Sequence, residues 1–382
     1  MKIAIIHDWL IGMRGGEKVL ECLCELYPDA HLYTLFHVKG SVSKTIEDRF
    51  IKTSFVENLP FLKRFYRYYL PLYPLAVEGF ELKDYDVVVS LNHCVAKGAI
   101  PPPNAVHISY TFTPMRYVWD MRGEYFSESN RFSRKAIGVF SHYLRMWDVT
   151  SSARVDEFVA ISNHVAKRIE KYYGRRSSVI YPPVDCSGFG ISGKTGDYYL
   201  IVSAFAPYKR IDLAIKAFND SGRKLKIAGT GQDEKRLKRM ANKNIEFLGW
   251  QSNEALNGLY ARCKALIFPG EEDFGIAPLE AMASGRPVIA YAKGGALETV
   301  APLGVKESVP TGLFFAEQTP GSLAEAVRYF EKNEGSFDGA SIREYALKFD
   351  KAVFKKNIAA RIQEKYAGLK DREDVKEKQP IS

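Results

Sequence analysis

The sequence predicts an α/β protein built from two doubly wound parallel-sheet domains that face one another across a ligand-binding cleft. Three features of the chain point there. Short β-branched runs alternate with amphipathic helical stretches, which is the pattern of parallel βαβ units. The alternation pauses once, over the Gly-, Ser- and Pro-rich stretch PPVDCSGFGISGKTGD at 182–197, and then restarts. A chain of 382 residues also exceeds the length at which one core usually keeps growing, so about two domains is the natural division.

The elements follow in order. KIAIIH reads as a first strand and GGEKVLECLCELYP as its helix. YDVVVSLN, AVHISYT and DEFVAISN are further strands, followed by the helix HVAKRIEKYYG and the strand SVIYPP. These make an N-terminal domain over 1–184, with a linker at 185–197. YYLIVSAF, DLAIKAFND, KLKIAG, DEKRLKRMA, IEFLGW, NEALNGLYARC, KALIFPG, PLEAMAS, PVIAY and TGLFF then build a C-terminal domain over 198–366. It ends in a long helix from about Ser341 to Tyr366, charged on one side, which suits packing either on that domain or back on the first. Residues 367–382 read as a solvated tail.

Composition narrows the functional classes. A net charge of +9 with 46% hydrophobic residues describes a soluble globular chain whose basic surface favours phosphates or an anionic membrane. No run approaches the roughly 18 apolar residues of a spanning helix, and MKIAIIHDWL reads as a strand rather than a signal peptide. Cys22, Cys24, Cys94, Cys186 and Cys263 lack CxxC spacing, which predicts reduced cytosolic thiols and no zinc.

The most informative stretch is EEDFGIAPLEAMASGRPVIA at 271–290, where Glu272 and Glu280 stand eight positions apart. KALIFPG is a buried strand, EEDFGI the loop leaving its carboxyl end, and Pro278 lies near the first helical position, where its missing N–H costs nothing. The amino end of that helix exposes N–H groups and the positive end of its dipole, which suits a phosphate. Glu280, placed in the first turn, suits the neutral hydroxyls of a ribose, and Glu272 a second polyol. Each carboxylate alone is equally compatible with dipole complementation or an ordinary surface loop.

In SAFAPYKRIDLAIKAF, Lys209 and Arg210 precede a helix starting near Asp212. Two cations at a positive dipole end are mildly unfavourable, and an anionic ligand relieves that; two side chains pointing into water would also. In HDWLIGMRGGEKVLE, Gly15 and Gly16 let backbone approach a ligand closely or mark a tight turn, while His7 reads as structural. SYTFTPMRYVWD carries Arg116 in an aromatic loop that either lines the cleft or packs on itself. The DYD at 84–86 resembles a metal-binding DxD, yet it precedes a strand instead of leaving one, so no metal site is expected. Residues 59–82, LPFLKRFYRYYLPLYPLAVEGFEL, suit a membrane headgroup interface or an amphipathic helix buried in its own domain with snorkelling cations.

These residues together resemble the retaining glycosyltransferases of family 4, with the two-domain GT-B fold of two Rossmann-like domains. The resemblance rests on E-x7-E at Glu272 and Glu280, on APYKRIDLAIKAF, on EFVAISNHVAKRIEKYYG with VIYPPVD, and on GGALETV with TGLFF. APYKRID, TPMRYVWD and HDWL near GGE look most like mannosyltransferases that build O-antigen and other surface polysaccharides. The resemblance implies that Glu280 binds ribose, Glu272 reaches the transferred hexose, and Lys209 and Arg210 hold the diphosphate, the last three carrying catalysis. It also implies donor contacts from Ser203, from backbone at Phe274, Gly275, Ile276, Ala277 and Pro278, from Gly15 and Gly16, and from Gly229 and Trp250 beside the base. Two departures stand out. Ala204 replaces an arginine common in relatives, and Phe112 replaces a histidine two before Pro114, on the acceptor side with Arg116.

The implied reaction moves mannose from GDP-mannose to a hydroxyl of a lipid-linked saccharide, with retention and without a cofactor or metal. The expected partners are that donor, that acceptor and an anionic membrane surface, with no nucleic acid, at a cytoplasmic location that includes peripheral attachment to the membrane. Rival readings are a transferase using a UDP-sugar, a GT-B nucleotide-sugar epimerase, and a non-catalytic sugar-nucleotide-binding protein. A dinucleotide oxidoreductase would need G-x-G-x-x-G after the first strand, which GMRGGE does not supply.

Overall fold

The computed structural model describes residues 1–116, 118–119, 131–305 and 309–377. The chain divides into two compact units, Met1–Pro183 with Phe354–Ser382, and Val184–Val353.

The first unit holds β1 (Ile3–His7), α1 (Gly15–Leu26), β2 (His31–Thr34), β3 (Ile51–Thr53), β4 (Val87–Asn92), β5 (Val106–Thr111), α2 (Arg131–Ser152), β6 (Glu157–Ala160), α3 (Asn163–Tyr173) and β7 (Ser177–Val179). All seven strands are parallel, in the order β3-β2-β1-β4-β5-β6-β7. β1, β4 and β5 are buried on both faces, which is why they read as continuous apolar runs rather than alternating ones.

The second unit holds β8 (Tyr198–Val202), α4 (Ile211–Ser221), β9 (Lys224–Ala228), α5 (Glu234–Met240), β10 (Ile245–Gly249), α6 (Asn253–Arg262), β11 (Leu266–Phe268), α7 (Ile276–Ala283), β12 (Val288–Tyr291), β13 (Gly312–Phe315), α8 (Pro320–Lys332) and α9 (Gly339–Ala346). Its six parallel strands run β10-β9-β8-β11-β12-β13. Each sheet therefore reverses its winding once, between β1 and β4 in the first unit and between β8 and β11 in the second. Open α/β sheets hold ligands outside the carboxyl ends of the strands at such reversals.

The C-terminal segment differs from the sequence expectation. The single helix expected from Ser341 breaks into α9 and α10 (Lys351–Glu377). The break lies at Asp350, whose extended backbone pairs with Val184 and whose carboxylate accepts from the Ala352 and Cys186 amides at 2.8 and 3.3 Å. From Phe354 onward α10 belongs with the first unit, the second of the two packings the sequence allows, so the C-terminal domain ends at Val353 and not at 366. Phe354, Ile358 and Ile362, four apart on one face, are buried there. Arg361 and Lys365 pair with Glu157, and Lys355 with Glu25. The expected tail continues this helix to Glu377, and 378–382 lie outside the described residues.

Residues 59–82 do not form one amphipathic helix. They fold as short turns over Leu62–Phe65, Tyr66–Leu72 and Tyr73–Glu78, interrupted by Pro71. Tyr73, Ala76 and Val77 are buried, whereas Phe61 and Tyr68 are 78% and 80% exposed. All five cysteines are buried free thiols. No helix among the described residues is long and apolar enough to cross a membrane.

Candidate functional site

In the second unit the loop leaving β11 meets the loop leaving β8 at the winding reversal. Gly270 is packed against the latter, since a Cβ there would stand 3.1 Å from the Lys209 Cα and carbonyl oxygen. That approach brings Lys209 Nζ to 2.5 Å from Glu272 Oε1, with both side chains largely covered. Two residues 63 positions apart, singled out separately by sequence, are thus one charged pair.

Arg210 does not join them. It caps α4 in the left-handed region at φ 52° and turns to Gln318 Oε1, 2.9 Å, and Asp212 Oδ1, 3.4 Å. The unfavourable crowding of cations at the α4 amino end is relieved within the protein, by Asp212 in its first turn and by Glu272 on Lys209. Gln318, which also donates to the Pro269 carbonyl at 3.0 Å, went unnoticed in the sequence because a lone glutamine carries no pattern.

α7 begins two residues earlier than expected. Gly275 is its N-cap, so Ile276, Ala277 and Pro278 form the first turn, and Pro278 occupies the third helical position instead of the first. A proline is tolerated there because none of the first four helical N–H groups has an intrahelical acceptor. Glu280 consequently lies beyond the first turn. It is 8% exposed and accepts from Tyr260 Oη at 2.8 Å. Burial, then the charge and hydrogen bond of Glu280, push the Tyr260 phenol well above its ordinary pKa, so it stays a neutral donor. Tyr260 was missed because only the packing of α6 against α7 brings it there. Phe274 is buried against Phe349, at 6.1 Å between ring centroids, which leaves its backbone rather than its side chain for a ligand.

The other predicted donor residues line the same carboxyl edge. Ser203 donates its amide to the Ala228 carbonyl at 3.1 Å, and Gly229 packs so closely that a Cβ would lie 1.9 Å from the Ser203 oxygen. Trp250 follows β10 and is 77% exposed. Gly295 donates to the Glu272 carbonyl at 2.8 Å and buttresses the β11 loop, with no room for a Cβ, which would meet the Phe274 Cα at 2.3 Å.

In the first unit Gly15 opens α1, and a Cβ on Gly16 would meet His7 Cε1 at 3.4 Å and the Phe112 ring at 3.5 Å. Glu17, buried, accepts from the Arg14 amide at 3.0 Å and faces His7 Nε2 at 3.4 Å. Arg116 is half-buried in the loop after β5; Tyr117 and Asp120 of the same motif lie outside the described residues. Asp84 and Asp86 precede β4, and Asp86 accepts from the Lys2 amide at 2.7 Å.

Asp8 and His93 were not singled out by sequence. Asp8 follows β1, and its buried carboxylate accepts from the amides of His93, Cys94, Val95 and Ala96 at 2.7–2.9 Å and from His93 Nδ1 at 2.9 Å. Burial alone would raise its pKa, but the His93 charge and these hydrogen bonds outweigh it and hold the carboxyl at about 2. His93 is conversely raised: burial works against its charged form, and the Asp8 charge and hydrogen bond, with a smaller contribution from Glu17, overcome it.

Residues 189–351 match the family described as glycosyl transferases group 1. Among curated relatives, an uncharacterized glycosyltransferase of Methanocaldococcus jannaschii is 30% identical over 47% of this chain and 50% of its own length. The O-antigen chain mannosyltransferase RfbU of Salmonella typhimurium is 32% identical over 45% and 50%. The chain spans about half the length of the curated relatives it matches. The solved structure of Anabaena Alr3699/HepE in complex with UDP superposes with a TM-score of 0.70 at 15% identity, covering 95% of this chain and 100% of that one. With two parallel sheets of matching winding, and the paired loops of β8 and β11 inside the matched segment, residues 189–351 are a glycosyl transferases group 1 domain in a chain of GT-B fold.

Proposed function

We propose that the protein is a retaining hexosyltransferase of family 4 that moves mannose from GDP-mannose to a hydroxyl of a lipid-linked saccharide. The observation that carries this is the Lys209–Glu272 pair beside the amino end of α7: a cation and free amides for a diphosphate, and a carboxylate for a sugar, at one winding reversal. The mannosyltransferase relative in Salmonella typhimurium supports the choice of sugar.

In this mechanism the α7 amides and Lys209 neutralise the diphosphate as the glycosidic bond breaks, a role given to protein groups rather than to a metal ion, and Arg210 adds its charge once it turns away from Gln318 and Asp212. Binding the diphosphate frees Glu272 from Lys209. Its carboxylate then faces the positive charge that develops on the sugar ring, and the departing phosphate oxygen takes the acceptor's proton. Glu280, oriented by Tyr260, accepts from the ribose hydroxyls. Ser203, Gly229 and Trp250 complete the donor set together with Gly15 and Gly16, with Phe112 and Arg116 on the acceptor side.

The lipid-linked acceptor and peripheral attachment to an anionic bilayer draw support from the surface of the first unit. Phe61, Phe65, Tyr68, Leu72 and Leu75 are exposed beside the cations Lys63, Arg64 and Arg67. On α2, Val139, Phe140, Tyr143 and Met146 are exposed as well, and Trp147 of that helix donates to Glu78 at 2.8 Å, which sets α2 beside the turn carrying Leu75. Aromatic and basic side chains together suit a headgroup layer.

The test is the thermal midpoint of the full chain with GDP-mannose, UDP-glucose and ADP-glucose, because a ligand of the folded state raises it. The largest rise is expected with GDP-mannose; a larger rise with UDP-glucose refutes the mannose assignment. A UDP-sugar is the second reading, favoured by the likeness to a structure solved with UDP. Appearance of an isomerised sugar from donor alone would instead mark an epimerase.

A further inference from the structure

The mechanism above uses Arg210 only once it has turned from Gln318 and Asp212, and Gln318 has no role in it. Gln318 lies between β13 and α8, next to Thr319, whose hydroxyl caps α8 by accepting from the Ser322 amide at 3.2 Å. The backbone beside it is thus fixed. Its carboxamide is used at both ends: Nε2 donates to the Pro269 carbonyl at the exit of β11, 3.0 Å, and Oε1 accepts from Arg210 Nη1 at 2.9 Å. The two ends cannot be exchanged. Turned over, the amide would set its N–H groups against a guanidinium that has donors only, and its oxygen against the Pro269 oxygen. The acceptor is therefore locked toward Arg210.

Arg210 is itself held in an unfavourable backbone conformation. Its φ of 52° lies in the left-handed region, which among the described residues it shares, outside glycine, with Phe61. Such a conformation persists where surrounding contacts fix it, and it collects at sites that work. Asp212 is the looser partner, 3.4 Å from Nε, and the arginine side chain is 36% exposed, so it is free to move.

The two neighbouring cations are held by different chemistry. Lys209 is paired with the Glu272 carboxylate, whereas the closest partner of Arg210 is a neutral amide. A neutral acceptor orients the guanidinium without cancelling its charge. A phosphate offers it two parallel bonds to charged oxygens in place of one to a neutral oxygen, so a diphosphate displaces the amide.

We propose that Gln318 is a latch for Arg210: it holds the guanidinium against the β11 loop until a diphosphate takes it, and so sets the affinity of the donor site. This rests on the sugar-nucleotide function proposed above. Gln318 is a positioning residue, acting through Arg210; it lowers affinity because its contact must break for the arginine to engage the ligand.

The test measures GDP affinity of the full chain by calorimetry in wild type, Gln318→Leu, Gln318→Glu and Arg210→Ala, and in Arg210→Ala combined with each Gln318 substitution. Leucine fills the same space without a hydrogen bond, so Gln318→Leu is expected to tighten GDP binding roughly threefold to tenfold, the scale of one net hydrogen bond. Gln318→Glu turns the latch into an ion pair and weakens binding. Arg210→Ala also weakens it, and in that background neither Gln318 substitution changes the affinity further. A merely structural role of Gln318 would persist without Arg210. If Gln318→Leu binds GDP as wild type does or more weakly, or if its effect survives in Arg210→Ala, the latch is refuted while the donor reading stands. UDP replaces GDP should wild type bind that nucleotide alone. A wild-type chain that binds neither overturns the donor reading and this inference with it.

Discussion

Lys209 Nζ stands 2.5 Å from Glu272 Oε1, so the cation expected to hold a diphosphate and the carboxylate expected to reach a sugar are paired with each other. A diphosphate competes for the lysine and releases the carboxylate. Lys209→Ala is therefore expected to lower kcat roughly a hundredfold, the scale seen when one charge-stabilising donor is lost. Its effect on stability should stay within about 1 kcal/mol, as for a partly exposed pair. Glu272→Gln should lower kcat while GDP affinity holds or rises. Turnover that survives both substitutions would refute the mechanism.

Glu280 and Tyr260 separate ribose recognition from packing. Glu280→Ala should weaken GDP binding about tenfold and leave a buried phenol unpartnered, costing roughly 1–3 kcal/mol of stability. Tyr260→Phe removes the donor but keeps the ring, so GDP affinity should fall less than in Glu280→Ala. Calorimetry on the two variants decides; equal losses would mean that Glu280 acts only through packing.

Gly295 is a test of backbone support. A Cβ at this position meets the Phe274 Cα at 2.3 Å, so Gly295→Ala must displace the β11 loop. Overpacking of this kind costs roughly 1–3 kcal/mol. The thermal midpoint should drop and GDP-mannose turnover should fall further than stability alone explains.

The Asp8–His93 pair makes stability depend on pH in opposite senses. The Asp8 pKa is depressed to about 2, so its contribution is fully present above the ordinary carboxyl value and is lost as pH falls toward 2. By linkage that shift corresponds to roughly 2 kcal/mol. His93 is raised, so its contribution is present below the ordinary imidazole value and lost as pH climbs through its folded pKa. Denaturant melts from pH 2 to 8 should show an acid limb that His93→Gln shortens. An unchanged limb would mean that backbone amides alone hold Asp8.

Transfer should continue in the presence of a chelator, because cations and amides of the protein are assigned the diphosphate charge. Loss of turnover with EDTA, restored by a divalent cation, would refute that assignment.

Much of this was legible locally. Strand and helix alternation, and the order strand, acidic loop, glycine, proline, helix at 266–283, are written in neighbouring residues, because βαβ units repeat a period that sequence displays directly. The exact start of α7 was not, since a glycine N-cap carries no side-chain signature. The Asp8 carboxylate was invisible for a related reason: its five hydrogen bonds come from a loop 85–88 positions away.

By itself the sequence determined the two doubly wound halves, the family resemblance and the residues to suspect, all of which rest on short-range pattern and composition. Only the tertiary structure decided which suspects meet: Lys209 with Glu272, Arg210 with Gln318, Glu280 with Tyr260, and α10 with the first unit rather than the second. Those pairings depend on how parallel strands are ordered across a sheet and on which face a distant helix buries. Such long-range choices follow from the packing of the whole unit, and no local window of residues contains them.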